Sequence, residues 1–207
     1  MTITSQAIID ALAGVAYLID LHSHIVSIGR RGWRMFAAES GAPEVAEAAN
    51  FLNRNLFDFV AGEDVRGAYC RLLERVRQGE PQVVLPCHCD GPAVTRAMRM
   101  TISPVRNGRT LKGYLFQSIA LAEHARPPLD LYTFTAHYPE SVPLIGMCSL
   151  CERVCPPGSD EMSAAWMEAE GYYARGGSSR VRISHTVCPN CFGRWVQGWT
   201  GQPPLEF

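Results

Sequence analysis

The side chains best equipped for chemistry are cysteines gathered in the last third of the chain. Cys148-Ser149-Leu150-Cys151 and Cys188-Pro189-Asn190-Cys191 each place two thiols three positions apart. A two-residue gap lets both sulfurs of a tight turn face one ion, and two such knuckles complete a tetrahedron of thiolates around a structural zinc. Cys148, Cys151, Cys188 and Cys191 are therefore the candidate metal ligands. Cys155 and His185 stand close enough in sequence for either to replace one thiolate, and a four-coordinate zinc allows at most one such replacement. Otherwise Cys155, ahead of Pro156-Pro157-Gly158, reads as a loop thiol, and His185 as a residue that packs or hydrogen-bonds beside the site. Two rival readings of the four cysteines are reduced thiols in a core, where Cys behaves as a small hydrophobe, and a redox dithiol. Against the dithiol, neither knuckle reads as the end of a buried strand that opens a helix.

Four thiolates fill the coordination shell and leave no position for water, which argues against Lewis-acid catalysis. A zinc deaminase needs a His-x-Glu upstream of a Pro-Cys-x-x-Cys, and neither occurs here. With no Ser/His/Asp grouping, paired-carboxylate motif or cofactor loop, the chain is expected not to be an enzyme. Cys87-His88-Cys89 forms a second group of potential ligands. On a strand, Cys87 and Cys89 share one face and His88 the other, which argues against three ligands on one ion and for packing positions. Cys70 falls within a helical pattern and reads as core; His22 and His24 read as exposed. Trp166, Trp195 and Trp199, with Tyr172 and Tyr173, could stack bases, and Arg175, Arg180, Arg182 and Arg194 lie near them. The competing expectation is that these aromatics form the core of a small unit with little else to bury.

Composition narrows the classes. Of 207 residues, 47% are hydrophobic and 19% charged, enough apolar surface for a core, while the net charge of −1 argues against a general polyanion binder. No apolar run reaches the roughly 18 residues that suggest a membrane span. Residues 1–6 lack the basic start of a secretory signal. A cytoplasmic location is expected, where cysteines are thiols or metal thiolates rather than disulfides.

The elements that must position these residues follow from spacing. Thr4 or Ser5 caps a helix over residues 5–13. Strands are expected at 15–20 and 24–28, helical turns at 33–38 and 56–60, and a polar insertion between them at 39–47. Glu63-Asp64 opens a helix in which Val65, Tyr69, Leu72, Leu73 and Val76 recur at helical spacing, and Gly79 ends it. Strands follow at 82–89, 95–104 and 112–122. Met98, Met100 and Ile102 share one face, and Asn107-Gly108 signals a hairpin. Arg126-Pro127-Pro128 breaks regular structure and reads as a linker. A helix from Asp160 to Ala174 is expected between the knuckles.

This order resembles the PAS sensory domain over residues 8–122. The resemblance rests on Ala16-Tyr17-Leu18-Ile19-Asp20 with Ile25, on Trp33 and Phe36, on Asn55-Leu56-Phe57-Asp58-Phe59-Val60 with Glu63-Asp64-Val65, and on Cys89-Asp90-Gly91-Pro92 with Arg96. Residues 145–192 resemble a cysteine-rich segment appended to bacterial PAS-containing signalling proteins, through Met147 to Cys151, Trp166, Glu170, Tyr172, Ser184-His185 and Cys188-Pro189-x-Cys191; an insertion over 155–163 departs from it. The resemblance implies an α+β fold: a PAS-like five-stranded antiparallel sheet with flanking helices, plus a small C-terminal zinc module. It divides the chain into a sensory domain at 1–122, a linker at 123–142 and a Cys-rich module at 143–207. It implies a bacterial signal-sensing regulator, an adaptor with a protein partner, and the N-terminal helix at residues 5–13 could pair with its copy in a homodimer. The sheet would line a ligand pocket with Cys87, Cys89, Met98 and Met100; its ligand is unspecified, and the sequence carries no flavin-photoadduct motif. A zinc-ribbon-like nucleic-acid-binding regulator is the alternative.

Overall fold

The computed structural model describes residues 4–40, 45–132, 139–159, 161 and 165–196. Its centre is a five-stranded antiparallel sheet ordered β2-β1-β5-β4-β3. The strands are β1 (Val15–Asp20), β2 (Ile25–Ile28), β3 (Val83–His88), β4 (Val94–Asn107) and β5 (Thr110–Ala125). Helices α1 (Ser5–Asp10), α2 (Arg30–Glu39) and α3 (Glu63–Arg77) flank it. The α+β, PAS-like architecture expected from the sequence is present.

Local chemistry accounts for the main elements. α3 begins with Glu63 and Asp64 and ends with Arg75 and Arg77, charges that complement the helix dipole. Its buried stripe of Val65, Ala68, Leu72, Leu73 and Val76 packs in one core with Ile19, Leu85, Met100, Ile102 and Phe116 of the sheet. Cys70 lies on the opposite side of the helix from Leu72 and is exposed, not core. The β4–β5 hairpin closes on Gly108, whose φ of 58° suits its missing Cβ. Both strands outrun their expected ends, because the backbone ladder persists to the Asn107–Thr110 and Val94–Ala125 pairs after the apolar alternation stops. α1 is capped by Thr4, whose Oγ1 accepts from Ala7 N–H at 3.2 Å, but it ends at Asp10, short of residue 13. Asp10 then accepts from Arg30 N–H at 2.8 Å and so tethers α1 to α2.

β3 is an edge strand. His88 N–H points away from β4, and Pro86, two residues earlier, points the same way, so its missing N–H breaks no rung of the ladder.

The C-terminal residues build a second sheet, ordered β7-β6-β8, from β6 (Leu144–Cys148), β7 (Val154–Cys155) and β8 (Arg182–Thr186). Two short helices, α4 (Ala169–Ala174) and α5 (Pro189–Val196), complete it. Leu131, Ile145, Met147, Val154, Ala169, Tyr172 and Val181 form its core. The helix expected from Asp160 shrinks to α4. Positions 160 and 162–164 lie outside the described residues, and Met167 instead bridges Val154 through two backbone hydrogen bonds of 2.8 and 3.1 Å. Cys155 is no loop thiol: it is a strand residue paired with Gly146 and 1% exposed.

The two sheets are in contact. Cys148, Leu150, Val187, Cys188 and Cys191 belong to the same buried cluster as α3 and the five-stranded sheet. Beyond β5, Arg126 N–H donates to Ala93 O at 3.0 Å and Leu129 N–H to Pro92 O at 2.8 Å, so this stretch runs back along the β4 end. Residues 133–138 of the expected linker, 41–44 of the expected insertion and Trp199 lie outside the described residues.

Candidate metal centre

The parallel pairing of β6 with β8 brings the two knuckles together. Its register sets Cys148 opposite Thr186, so both chains leave the sheet at the same end. The first knuckle then folds on itself. Cys148 N–H donates to Arg153 O and Glu152 N–H to Cys148 O, each at 2.9 Å, and Glu152 takes a φ of 55° to complete the turn. Ser149 N–H donates to Thr186 O at 2.9 Å and ties this turn to β8.

The second knuckle straddles the start of α5. Pro189 is the first helical residue, a position where its missing N–H is harmless. Cys188 N–H points at Cys148 Sγ at 3.4 Å and Cys191 N–H at Cys188 Sγ at 3.5 Å. This knuckle therefore does stand between a strand and a helix, contrary to the sequence expectation. The helix N-terminus favours negative sulfur, and the sulfur it favours sits in a four-thiol cluster rather than beside a single partner.

The four Sγ atoms all lie within 4.8 Å of one another, and Cys151 Sγ is 3.7 Å from Cys188 Sγ. A tetrahedral ion with metal–sulfur bonds of about 2.3 Å has ligand edges of about 3.8 Å. A disulfide needs about 2.05 Å. The spacing fits a metal and not a crosslink. Three of the four cysteines are buried and Cys151 is half-buried. Hydrogen bonds from Cys151, Cys188 and Cys191 hold the Cys148 thiol far below its usual range. The crowding pushes Cys151 and Cys191 well above theirs. So many sulfurs cannot all ionise side by side without a cation, and a divalent ion would supply the missing charge. Neither Cys155 nor His185 belongs to the cluster. Cys155 Sγ lies 3.9 Å from Pro156 O, and His185 is exposed on β8.

A network of charges lies against the first knuckle, and no sequence spacing pointed to it. Glu152, next to Cys151, accepts from Asp90 N–H with both carboxylate oxygens, at 3.1 and 3.0 Å. Asp90 in turn accepts from Arg96 N–H at 2.8 Å and from Arg126 Nη1 at 3.0 Å. The Asp90 and Arg126 side chains are 6% and 7% exposed. Burial alone would raise the Asp90 pKa, but the His88 hydrogen bond, the Arg96 amide and the Arg126 charge outweigh it and hold it below the ordinary value. Burial and the neighbouring Asp90 push Glu152 up to about 8. Arg126 also donates to Gly91 O at 2.9 Å and to Glu170 of α4 at 3.3 Å, and stacks over Tyr132. The one legible hint was the Cys89-Asp90-Gly91-Pro92 turn with Arg96.

The pocket residues expected from the sheet are only partly grouped. Met100 and Cys87 face the main core, where Tyr69 Oη lies 3.8 Å from Met100 Sδ. Tyr17 and Phe116 stack at 4.9 Å, and Tyr69 lies over the same ring at 6.2 Å. Burial pushes the Cys87 and Cys89 thiols up to about 12, so both are neutral. Met98 is 4% exposed but lies outside that core cluster, and Cys89 falls just past the end of β3. Of the expected base-stacking residues, Trp166, Tyr172 and Tyr173 are engaged in internal contacts, while Trp199 and the side chain of Trp195 lie outside the described residues. Tyr172 is buried with its hydroxyl bonded to Ser178, Tyr173 Oη meets Ser179, and Trp166 donates to Glu161 O at 2.9 Å. Arg182 caps backbone carbonyls of Val142 and Glu140.

No family model matches the sequence, and no curated protein matches it. Solved structures do. The PAS domain of BvgS from Bordetella pertussis aligns with a TM-score of 0.43 at 17% identity, covering 56% of this chain and 83% of that one. The VqmA–ligand–DNA complex of Vibrio cholera gives 0.39 at 21% identity, over 58% and 52%. A domain of an HTR-like protein from Haloarcula marismortui gives 0.37 at 14% identity, over 52% and 97%. The chain spans about half the length of the VqmA chains it matches. These likenesses concern the fold alone. Among the described residues, no helix is long and apolar enough to cross a membrane.

Proposed function

We propose that this chain is a signal-sensing regulatory protein: a PAS-like domain receives a small ligand or partner, and a structural zinc ion held by Cys148, Cys151, Cys188 and Cys191 shapes a module that docks a protein partner. The observation that carries this reading is the four-sulfur cluster, spaced for one tetrahedral ion and packed into the core of the PAS-like sheet. When bound, the ion cross-links β6 to the start of α5 and neutralises the thiolates. A shell of four sulfurs is closed to water, so the centre has a folding role and not a catalytic one. Output passes to another protein or to a second copy of this chain, for which the exposed Ile8 of α1 is a candidate contact at 58% exposure. The burial of Tyr172 and the backbone contacts of Arg182 weigh against the nucleic-acid alternative.

Elemental analysis with an optical spectrum of the purified protein tests the reading. One equivalent of zinc in a colourless protein is expected. Iron with a brown colour would overturn it, since four thiolates also hold iron–sulfur clusters.

A further inference from the structure

We propose that occupancy of the four-cysteine centre controls the order of the adjoining end of β3, so that metal binding and the state of the sensory sheet are thermodynamically linked. The inference rests on the metal reading above and goes beyond it, because a closed structural site need not report to anything.

Three contacts make the link. First, β3 has β4 on one side only, and at its end His88 N–H donates to Leu150 O at 2.7 Å. Leu150 lies between the ligands Cys148 and Cys151, so the knuckle itself supplies the edge strand's outer partner. Second, the backbone of Asp90 is held by the carboxylate of Glu152, the residue after Cys151. The Asp90 side chain then grips β4 through Arg96 N–H and the end of β5 through Arg126. Third, the other knuckle's approach strand leans on the start of α3. Thr186 Oγ1 lies 3.4 Å from Asp64 Oδ2, and the His185 carbonyl abuts Gly62 so closely that a Cβ there would collide with it.

These contacts depend on the knuckle keeping its shape. Without a cation no bond holds the four sulfurs, all within 4.8 Å of one another, in one cluster. The first knuckle, which turns through the positive φ of Glu152, is the piece that carries both contacts to the end of β3. Its movement would withdraw Leu150 O and Glu152 together. The pairs from Val83 to Leu85 remain in the ladder with β4, so the loosening is confined to His88–Asp90. Linkage is reciprocal: whatever anchors that end of β3 tightens metal binding by the same factor.

Hydrogen exchange of the full chain, metal-loaded and after extraction with a competing chelator, tests this. The His88 and Asp90 amides should exchange about 5- to 150-fold faster without metal, while those of Val83 and Leu85 keep their rates. Equal rates at His88 and Asp90, with metal loss verified by elemental analysis, would overturn the link and leave the metal reading standing. A chain that binds no metal at all would overturn both, and the stoichiometry alone distinguishes that case. A variant arm checks reciprocity. Glu152→Ala should weaken zinc binding by a similar factor in competition with a chromophoric chelator, whereas Glu168→Gln, at the exposed pair with Arg153, should not. Wild-type affinity in Glu152→Ala would exclude the carboxylate as the connecting group.

Discussion

Two glycines five positions apart should respond to alanine in opposite directions. Gly62 precedes α3 with φ 85° and ψ 127°, a region that is essentially glycine's own. Holding alanine there costs about 1–3 kcal/mol. The added Cβ would also meet the His185 carbonyl, a backbone atom that no rotamer change can move. Overpacking of this kind costs about 1–3 kcal/mol more. Gly62→Ala should therefore destabilise the protein by about 2–6 kcal/mol, a large part of the roughly 5–15 kcal/mol of a typical domain. Gly67 lies inside α3, and a Cβ there meets nothing within 4 Å. Gly67→Ala should stabilise by about 0.5–1 kcal/mol through the unfolded chain. Urea titrations followed by circular dichroism on both variants measure the pair. If Gly62→Ala fell within about 0.5 kcal/mol of wild type, the range of an ordinary surface change, the close approach of α3 and β8 would be refuted. Because the collision is with the strand leading to Cys188, Gly62→Ala should also weaken metal binding.

The ligand set makes its own predictions. Cys148→Ser should lose the metal or bind it far more weakly, whereas Cys155→Ser and His185→Ala should keep one equivalent; cobalt substitution, read from the thiolate charge-transfer bands, checks all three. Arg126→Met leaves Asp90 buried without its cation and should cost about 3–5 kcal/mol by denaturant titration; Asp90→Asn combined with it should recover part of that loss. The depressed Asp90 pKa adds stability that is fully present above its unfolded value, near 3.8, and is lost as pH falls through the lower folded value. Asp90→Asn should therefore remove the part of the acid-unfolding slope that lies between the unfolded value and the lower folded one, measured as stability against pH. Leu72→Ala, at a position 1% exposed in the main core, should cost about 2–5 kcal/mol.

Where the pattern is periodic, the sequence is legible. The stripe from Val65 to Val76 announces α3, and the alternation of Met98, Met100 and Ile102 announces β4, because one buried face imposes a repeat. The knuckles are legible for a different reason: two thiols at a fixed spacing can serve one ion wherever the chain places them. What escapes is anything fixed by residues remote in sequence. The segment before α4 has helical spacing, yet Met167 finds a backbone partner in Val154 and stays extended. Cys155 precedes two prolines and still enters a strand, because Gly146 lies opposite it. The Asp90–Arg126–Glu152 network joins three turns, none of which carries a repeat. Its members are charged residues in loops, which ordinary spacing rules assign to solvent.

The parallel pairing of β6 with β8 has a consequence for the order of assembly. Residues 83–88 are synthesised before the first knuckle at 148–151, and that knuckle gains its own support only when 182–191 follow, so the exposed side of β3 waits for a partner from further along the chain. During that interval the sheet carries an open strand edge, the kind of surface that invites pairing between molecules. Pro86 sits on that open side and leaves a gap in its row of donors. The proline that costs the finished ladder nothing would thus protect the nascent chain before the cysteine knuckle arrives to cover it.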